Sequence, residues 1–546
     1  MRTPVPRVGA AAPRALSAAL AALVLLGPTA FAAGSPAADA ARDGDLETLL
    51  ALIRDGADVD APANDGSTAL LWASYASDLE MARALLAAGA DPNVANDFGM
   101  TPLLQASRTG DAAMIGALLE AGADASLAHP EGATPLMAAA RTGSTEAVKL
   151  LLDHGADPNA ADAFQEQTPL MWAAVDGHTE VVDLLLAAGA DPNRQARVSE
   201  LTKRSINADF PTGGFTALMF AARNGHDEVV RRLVEAGANV NLKNGDGATA
   251  MMIAIVNDRL DLAAWLLEHG ADPNDGSLYY AVEMRDATTD WYAHDGSRLR
   301  PDHPNEHSAL DLIALLLEAG ADPNQPFVGQ LHSYSMCCDT YANASPFYRA
   351  AVAADLDALA LMIEHGADLE WSPSRVADAG PGPNANVGKA PILVAMNGGQ
   401  GVPPSGGPGD LRLGPPEFRE PGTRDPAEAV RLLLAAGANP DAKTPDGDSA
   451  LHVAVKSHRL DVIRALAEAG AALDVVDAEG RTPLQLAENP PEEPPPAAGA
   501  PPPNRGDATF DEMAGALREL MAAAGVPIEP YTPRTASADT AGDSVE

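Results

Sequence analysis

The stretch Leu85–Ser107, LLAAGADPNVANDFGMTPLLQAS, decides the fold. Gly89 follows the apolar run Met81 to Leu86, where a helix is due to end. Glycine accepts the left-handed conformation that closes a helix, and a proline shortly afterwards stops the helix from resuming. Pro92 also pushes Asp91 toward an extended conformation. Gly99 then permits a tight turn, and Thr101-Pro102 reads as a helix start. Threonine caps the first free N–H groups, and proline suits the first helical position because its missing N–H had no partner there. The stretch therefore reads as helix end, extended finger with a turn, helix start.

The same signal recurs along the chain. Gly-Ala dipeptides at helix ends begin at Gly56, Gly89, Gly122, Gly155, Gly189, Gly237, Gly270, Gly320, Gly366, Gly437 and Gly470. Half of the gaps between them are 33 residues, which is the mark of stacked repeats. Helix starts keep the same beat at Thr68, Thr101, Thr134, Thr168, Thr216, Thr249, Ser449 and Thr482. Each repeat holds two short apolar segments, such as TPLMWAAVDG and HTEVVDLLLAAG. Neither is long enough to be a stable helix alone, so each must bury its apolar face against neighbouring repeats. The class is an all-α solenoid of helix-turn-helix units joined by hairpin-like fingers.

The stretches GATPLMAAARTGSTEAVKLLLDHGADPN, QTPLMWAAVDGHTEVVDLLLAAGADPN and GFTALMFAARNGHDEVVRRLVEAGANVN resemble the ankyrin repeat family. The resemblance runs through about twelve repeats between residues 39 and 527. It implies a concave groove, formed by finger tips and first helices, that binds a protein partner. One departure stands out. The family's Thr-Pro-Leu-His carries a histidine that ties neighbouring fingers, but here Leu71, Leu104, Met137, Met171, Met219 and Met252 take its place. Only His452 keeps the imidazole, so thioether packing is expected to replace a polar tie.

Residues 1–32 stand apart from the repeats. A basic start with Arg2, Arg7 and Arg14, an apolar run from Ala15 to Leu26, and the small-residue site Ala30-Phe31-Ala32 read as a secretory signal peptide cleaved after Ala32. The run is too short for a membrane span. With 30 arginines against 6 lysines and a high Ala and Pro content, the chain reads as a Gram-negative bacterial protein sent to the periplasm, or secondly secreted. Residues 33–38 read as a short linker and 528–546 as a disordered acidic tail. The formal net charge of −40 becomes −43 without the leader, which argues against nucleic acid and anionic lipid as partners. A monomer is expected.

Longer gaps mark insertions at 194–213, 286–306, 325–344, 371–388, 398–424 and 490–506. Those at 194–213, 325–344 and 371–388 lengthen fingers, whereas 286–306, 398–424 and 490–506 lie between the two helices of one repeat. Four histidines, His294, His303, His307 and His332, fall near Cys337-Cys338, but the spacing suits no tetrahedral metal site. In an oxidising compartment the adjacent cysteines point to a vicinal disulfide, with free or intermolecular thiols as alternatives. There is no phosphate-binding glycine loop, no Gly-x-Ser-x-Gly and no His-Glu-x-x-His. No cofactor is expected, and the chain reads as a non-enzymatic scaffold. The alternatives are a binder of a cell-envelope ligand through the aromatic insertions at 286–342, or an exported effector.

Aligning the repeats on their capping residues locates the candidate groove. Four places on stand Trp72, Gln105, Ala138, Trp172, Phe220 and Ile253; seven on stand Arg42, Tyr75, Arg108, Arg141, Val175, Arg223, Val256 and Lys456. These offsets share one helix face. With the finger residues Met100 and Phe215, they give the candidate partner-binding set Trp72, Tyr75, Met100, Arg108, Arg141, Trp172, Phe215, Phe220 and Arg223. Trp, Tyr and Arg dominate interface energetics, although aromatics at helical spacing also serve as core.

Overall fold

A computed structural model describes residues 35–200, 211–286, 305–327, 344–373, 387–396, 424–491 and 506–530. The chain divides into two compact units, Met1–Asp157 and Pro158–Glu546. The first unit holds four helix pairs, numbered here as repeats 1 to 4: Pro36–Arg42 with Leu46–Arg54, Ala69–Tyr75 with Leu79–Ala87, Pro102–Thr109 with Ala112–Glu120, and Pro135–Thr142 with Thr145–Asp153. The second holds repeats 5 to 12. Their first helices are Pro169–Asp176, Ala217–Asn224, Ala250–Val256, Ser277–Asp286, Pro346–Ala353, Pro391–Ala395, Ala450–Lys456 and Pro483–Glu488. Their second helices are Thr179–Ala187, Asp227–Glu235, Leu260–Glu268, Ala309–Glu318, Leu356–Glu364, Pro426–Ala436, Leu460–Glu468 and Phe510–Ala524.

The punctuation of the sequence produces these elements directly. The threonine hydroxyls of Thr68, Thr101, Thr134, Thr168, Thr216, Thr249 and Thr482 accept the N–H of the third residue on, at 3.1 to 3.4 Å. All eleven helix-closing glycines, from Gly56 to Gly470, sit at positive φ. The first helix begins at Pro36 with Ser35 as its cap, inside the segment read as a linker. Ser-Pro there is the same cap-and-first-turn signal as Thr-Pro, and Ala37 and Ala38 are buried. At the other end, the Glu529 carbonyl accepts from Gln485 Nε2 at 2.9 Å, which places the first residues of the 528–546 segment against repeat 12. Fingers close on a pair of backbone bonds, such as Asn96 N–H to Met100 O at 3.1 Å and Gly99 N–H to Asn96 O at 2.8 Å. Around residues 201–210 the finger is long enough for a two-stranded antiparallel ribbon, Val198–Glu200 with Pro211–Gly213.

Met137, Met171, Met219 and Met252, which stand where the family carries histidine, are buried. His452 retains the tie. Its Nδ1 accepts from the Ser449 hydroxyl at 2.7 Å, and Nε2 donates to the Arg481 carbonyl at 2.8 Å. Burial lowers the His452 pKa below its ordinary value. A depressed folded-state pKa means stability that is complete above the unfolded value of about 6.5 and lost as pH falls through the folded one. Repeats 11 and 12 should therefore loosen first on acidification. A His452→Met variant should lack that acid step in melting curves taken between neutral and mildly acidic pH.

The three insertions that separate the helices of one repeat return to the fold by a common route. Each re-enters on the interhelical turn of the preceding repeat. Asn305 accepts from Leu260 N–H and donates to the Asp258 carbonyl, both at 3.0 Å. Glu306 and His307 donate their N–H groups to Asp261 at 2.8 and 2.9 Å. Arg424 bridges to Asp355, and Gly506 N–H donates to the Ser457 carbonyl at 2.9 Å. Repeats 5 and 6 turn on Gly177 and Gly225, but the three receiving turns place Asp258, Ala354 and His458 at positive φ. The interhelical turn of repeat 2 does the same at Ser77 and receives no insertion, so the left-handed conformation belongs to the turn itself and not to the returning segment.

The most buried of these anchors is ionic. Asp355, with no exposed surface, receives Arg285 Nε at 2.6 Å and is paired with Arg424. It also caps the following helix through Ala358 N–H at 3.3 Å. Arg285 reaches Asp357 at 2.8 Å and offers its carbonyl to Arg424 Nη2 at 3.0 Å. Arg285 lies at the root of the 286–306 insertion and Arg424 at the end of the 398–424 insertion, so one carboxylate holds both.

Candidate protein-docking surface

In the first unit the first helices of repeats 1 to 4 pack side by side, which turns equivalent positions into rows. Four places beyond the cap, Trp72, Gln105 and Ala138 are half-buried. Seven places beyond, Tyr75 is 66% exposed, and Arg108 and Arg141 are exposed as well. The Trp72 and Tyr75 rings meet edge to face at 5.9 Å. Arg42, at the head of the row, is held by Asp39 at 2.9 Å. Met100 is half-buried at the finger base, where its N–H is tied to Asn96 Oδ1 at 2.9 Å.

The sequence reading missed Phe98. It stands on the turn of the same finger, between Asp97 and Gly99, and is 70% exposed. The signal was present: a large apolar side chain at a turn position where polar residues serve better. Phe164 occupies the matching turn in the second unit and is similarly exposed. Around these residues the surface is acidic, with 19 Asp and Glu against 6 Lys and Arg between residues 35 and 157. The arginine row is therefore a local reversal of charge.

In the second unit the same row behaves differently. Trp172 is half-buried, but beyond it the row closes: Phe220 is 7% exposed, Ile253 2%, Tyr280 1% and Arg349 3%. The structure brings three of the predicted residues together here. Phe215 packs on Phe220 with ring centroids 5.1 Å apart, and the Arg223 guanidinium lies over both rings at 5.5 and 5.2 Å. The outer side of Arg223 meets solvent, but the rings desolvate its inner face and lower its pKa from the ordinary value; the group stays charged. Phe220 is thus a core residue, because the finger residue just before its own cap covers it.

Cys337 and Cys338 lie outside the described residues, as do His294, His303 and His332. His307 pairs with Asp261 at 2.8 Å, in the anchor described above. Among the described residues no group of three or more metal-ligating side chains converges, and no helix is long and apolar enough to cross a membrane.

Comparison with known proteins agrees with the repeat architecture. A family model for ankyrin repeats matches residues 37–128, 103–196, 198–277 and 423–491. Two relatives are cyclin-dependent kinase 4 inhibitor B of Rattus norvegicus, 37% identical over 117 residues, and its Mus musculus counterpart, 36% identical over the same length. Each alignment covers 21% of this chain and 69% of the relative. A solved structure, the ankyrin repeat domain of human ASB11, is 29% identical and covers 40% of this chain and 91% of its own, with a TM-score of 0.34. The family model covers more than half of the chain in register with its helix pairs, and the chain belongs to the ankyrin repeat family.

Proposed function

We propose that the chain is a non-enzymatic scaffold that binds a protein partner through the first-helix row of its first unit. Ankyrin repeats are protein-interaction scaffolds, and the observation that carries this reading is the exposed Tyr75 beside Trp72, in a row with the exposed Arg108 and Arg141. A rigid aromatic next to arginines is the residue chemistry of interface hot spots. The charge reversal on an acidic unit favours a partner that presents an acidic or mixed segment. The leader-like sequence at residues 1–32 supports a periplasmic setting, with secretion as the second choice, and the protein acts as a monomer. N-terminal sequencing of the mature protein should then begin at Ala33.

Affinity capture by the purified full chain tests the docking surface. Replacing Tyr75, Arg108 and Arg141 together with alanine should weaken retention of the captured partner by about 10- to 100-fold. These are surface positions, so the thermal transition should stay nearly unchanged. Equal retention by the variant and the wild-type chain sinks the assignment.

A further inference from the structure

We propose that the first-helix row of repeats 6 to 9 is a docking row already covered by the chain's own finger residues, Phe215 and Phe327, whereas the row of the first unit is open to a partner. This rests on the docking reading above and adds where the partner is excluded. The fourth place beyond the cap is buried in every repeat from 6 to 9, while at the seventh place Val256, Glu283 and Val352 are half-buried and Arg223 lies over the rings of Phe215 and Phe220. Phe215 covers Phe220. Phe327 meets Tyr280 edge to face at 4.9 Å and stacks on Tyr279 at 5.6 Å. Arg349, at the fourth place of repeat 9, is ion-paired with Glu283, at the seventh place of repeat 8.

The fit at Phe327 is built into the sequence. Repeat 8 has Gly276, at φ +118°, where every other repeat except repeat 10, with Ala390, carries a capping threonine or serine; its carbonyl accepts from Tyr280 N–H at 3.3 Å. A Cβ on that residue would stand 2.6 Å from the Phe327 ring, too close for any side chain. Removal of the cap hydroxyl therefore makes the slot that the ring fills. The finger base still closes in the regular way, with Phe327 N–H donating to the Ala344 carbonyl at 3.1 Å, as Asn96 N–H does to Met100. Phe327 thus replaces the small polar residue of a regular finger. It turns a finger contact into an aromatic plug against Tyr280.

Repeat 2 of the first unit has no equivalent plug. Asn96, the counterpart of Phe327, makes a polar bond to the Ser67 hydroxyl at 3.2 Å, and the residue before the cap of repeat 2 is Ser67, where repeat 6 has Phe215. Tyr75 remains open.

The test uses the full chain and the aromatic anion 1-anilinonaphthalene-8-sulfonate as a probe of open apolar surface. Phe327→Ala and Phe215→Ala should each raise dye fluorescence severalfold while the helix signal is retained, and Tyr75→Ala should lower the wild-type signal. Should Phe327→Ala lose the helix signal, Phe327→Leu takes its place, because leucine keeps apolar volume but leaves the ring slot incompletely filled. Dye binding by the Phe327 and Phe215 variants that equals wild type overturns the proposal. The docking reading fails separately: if partner retention ignores Tyr75, Arg108 and Arg141 while the dye results hold, the row of repeats 6 to 9 is covered but the partner binds elsewhere.

Discussion

Asp355→Ala should destabilise the second unit by about 3–5 kcal/mol, the cost of stripping a partner from a buried ion pair. The substitution leaves Arg285 and Arg424 facing a methyl group, in a place where Asp355 and Arg285 have almost no exposed surface. Asp357, half-exposed at the edge, continues to pair with Arg285 but cannot replace the carboxylate between the two guanidinium groups. Loss of the cap on Ala358 N–H adds about 1 kcal/mol. Long repeat arrays do not unfold as one cooperative body, so a single melting temperature would blur the effect. Hydrogen exchange, resolved by peptide, is the suitable measurement. Protection should fall in repeats 8 to 10 and hold in repeats 5 and 6. A variant whose exchange matches wild type throughout would falsify the role given to Asp355.

The control is Asp355→Asn. It keeps the size and the cap acceptor but removes the charge, so it should fall between wild type and alanine. The same node predicts coupling. Arg285→Met in the Asp355→Ala background should cost less than Arg285→Met alone, because the guanidinium has already lost its main partner.

The node was not legible in the sequence, and the reason is physical. Arg285, Asp355 and Arg424 are separated by 70 and 139 residues along the chain. They meet because the 286–306 insertion leaves, and the 398–424 insertion returns, at the interhelical turn of repeat 9. Periodicity locates the insertions by their excess length, but it does not say which neighbouring turn receives the returning chain. Local signals were legible to the residue: the capping threonines, the helix-closing glycines at positive φ, and Ser35-Pro36 as an additional start overlooked for want of a preceding repeat. The groove was half-legible. Offset counting found the row, but it could not distinguish an open row from one covered by a finger, because Phe215 and Phe327 act across the turn on helices that the count treats separately. The glycine at position 276, in place of a capping threonine, was the available clue to Phe327.

The asparagine of the Gly-Ala-Asp-Pro-Asn motif stands at six of the eleven helix ends that carry its glycine, and the structure explains it by a contact between repeats. Each one bridges to the next repeat: the side-chain amide donates to the helix-closing glycine carbonyl, and its oxygen accepts the N–H two residues further on. Asn274 does this with Gly320 at 3.1 Å and Asp322 at 2.8 Å, across 46 residues of sequence. Asn193 with Gly237 and Asn239, Asn241 with Gly270 and Asp272, and Asn324 with Gly366 and Asp368 repeat the arrangement. The preceding residue pair fixes the geometry, since the aspartate side chain accepts the asparagine N–H, as Asp272 does from Asn274 at 2.9 Å. Where the chain carries Glu370 or Asp441 instead, only the acceptor half remains, to Asn439 and Ala472. Replacing Asn193, Asn241, Asn274 and Asn324 with alanine should cost roughly 1 kcal/mol each, because water reaches these exposed groups and recovers part of each bond. The four sites are separate, so about 4 kcal/mol should be lost together. Aspartate at the same four positions should lose about half as much, since it keeps the acceptor and gives up the donor. Hydrogen exchange of the full chain, resolved by peptide, distinguishes the two sets. If alanine and aspartate prove equally costly, the donor half of the bridge contributes nothing, and the regularity of the motif needs another cause.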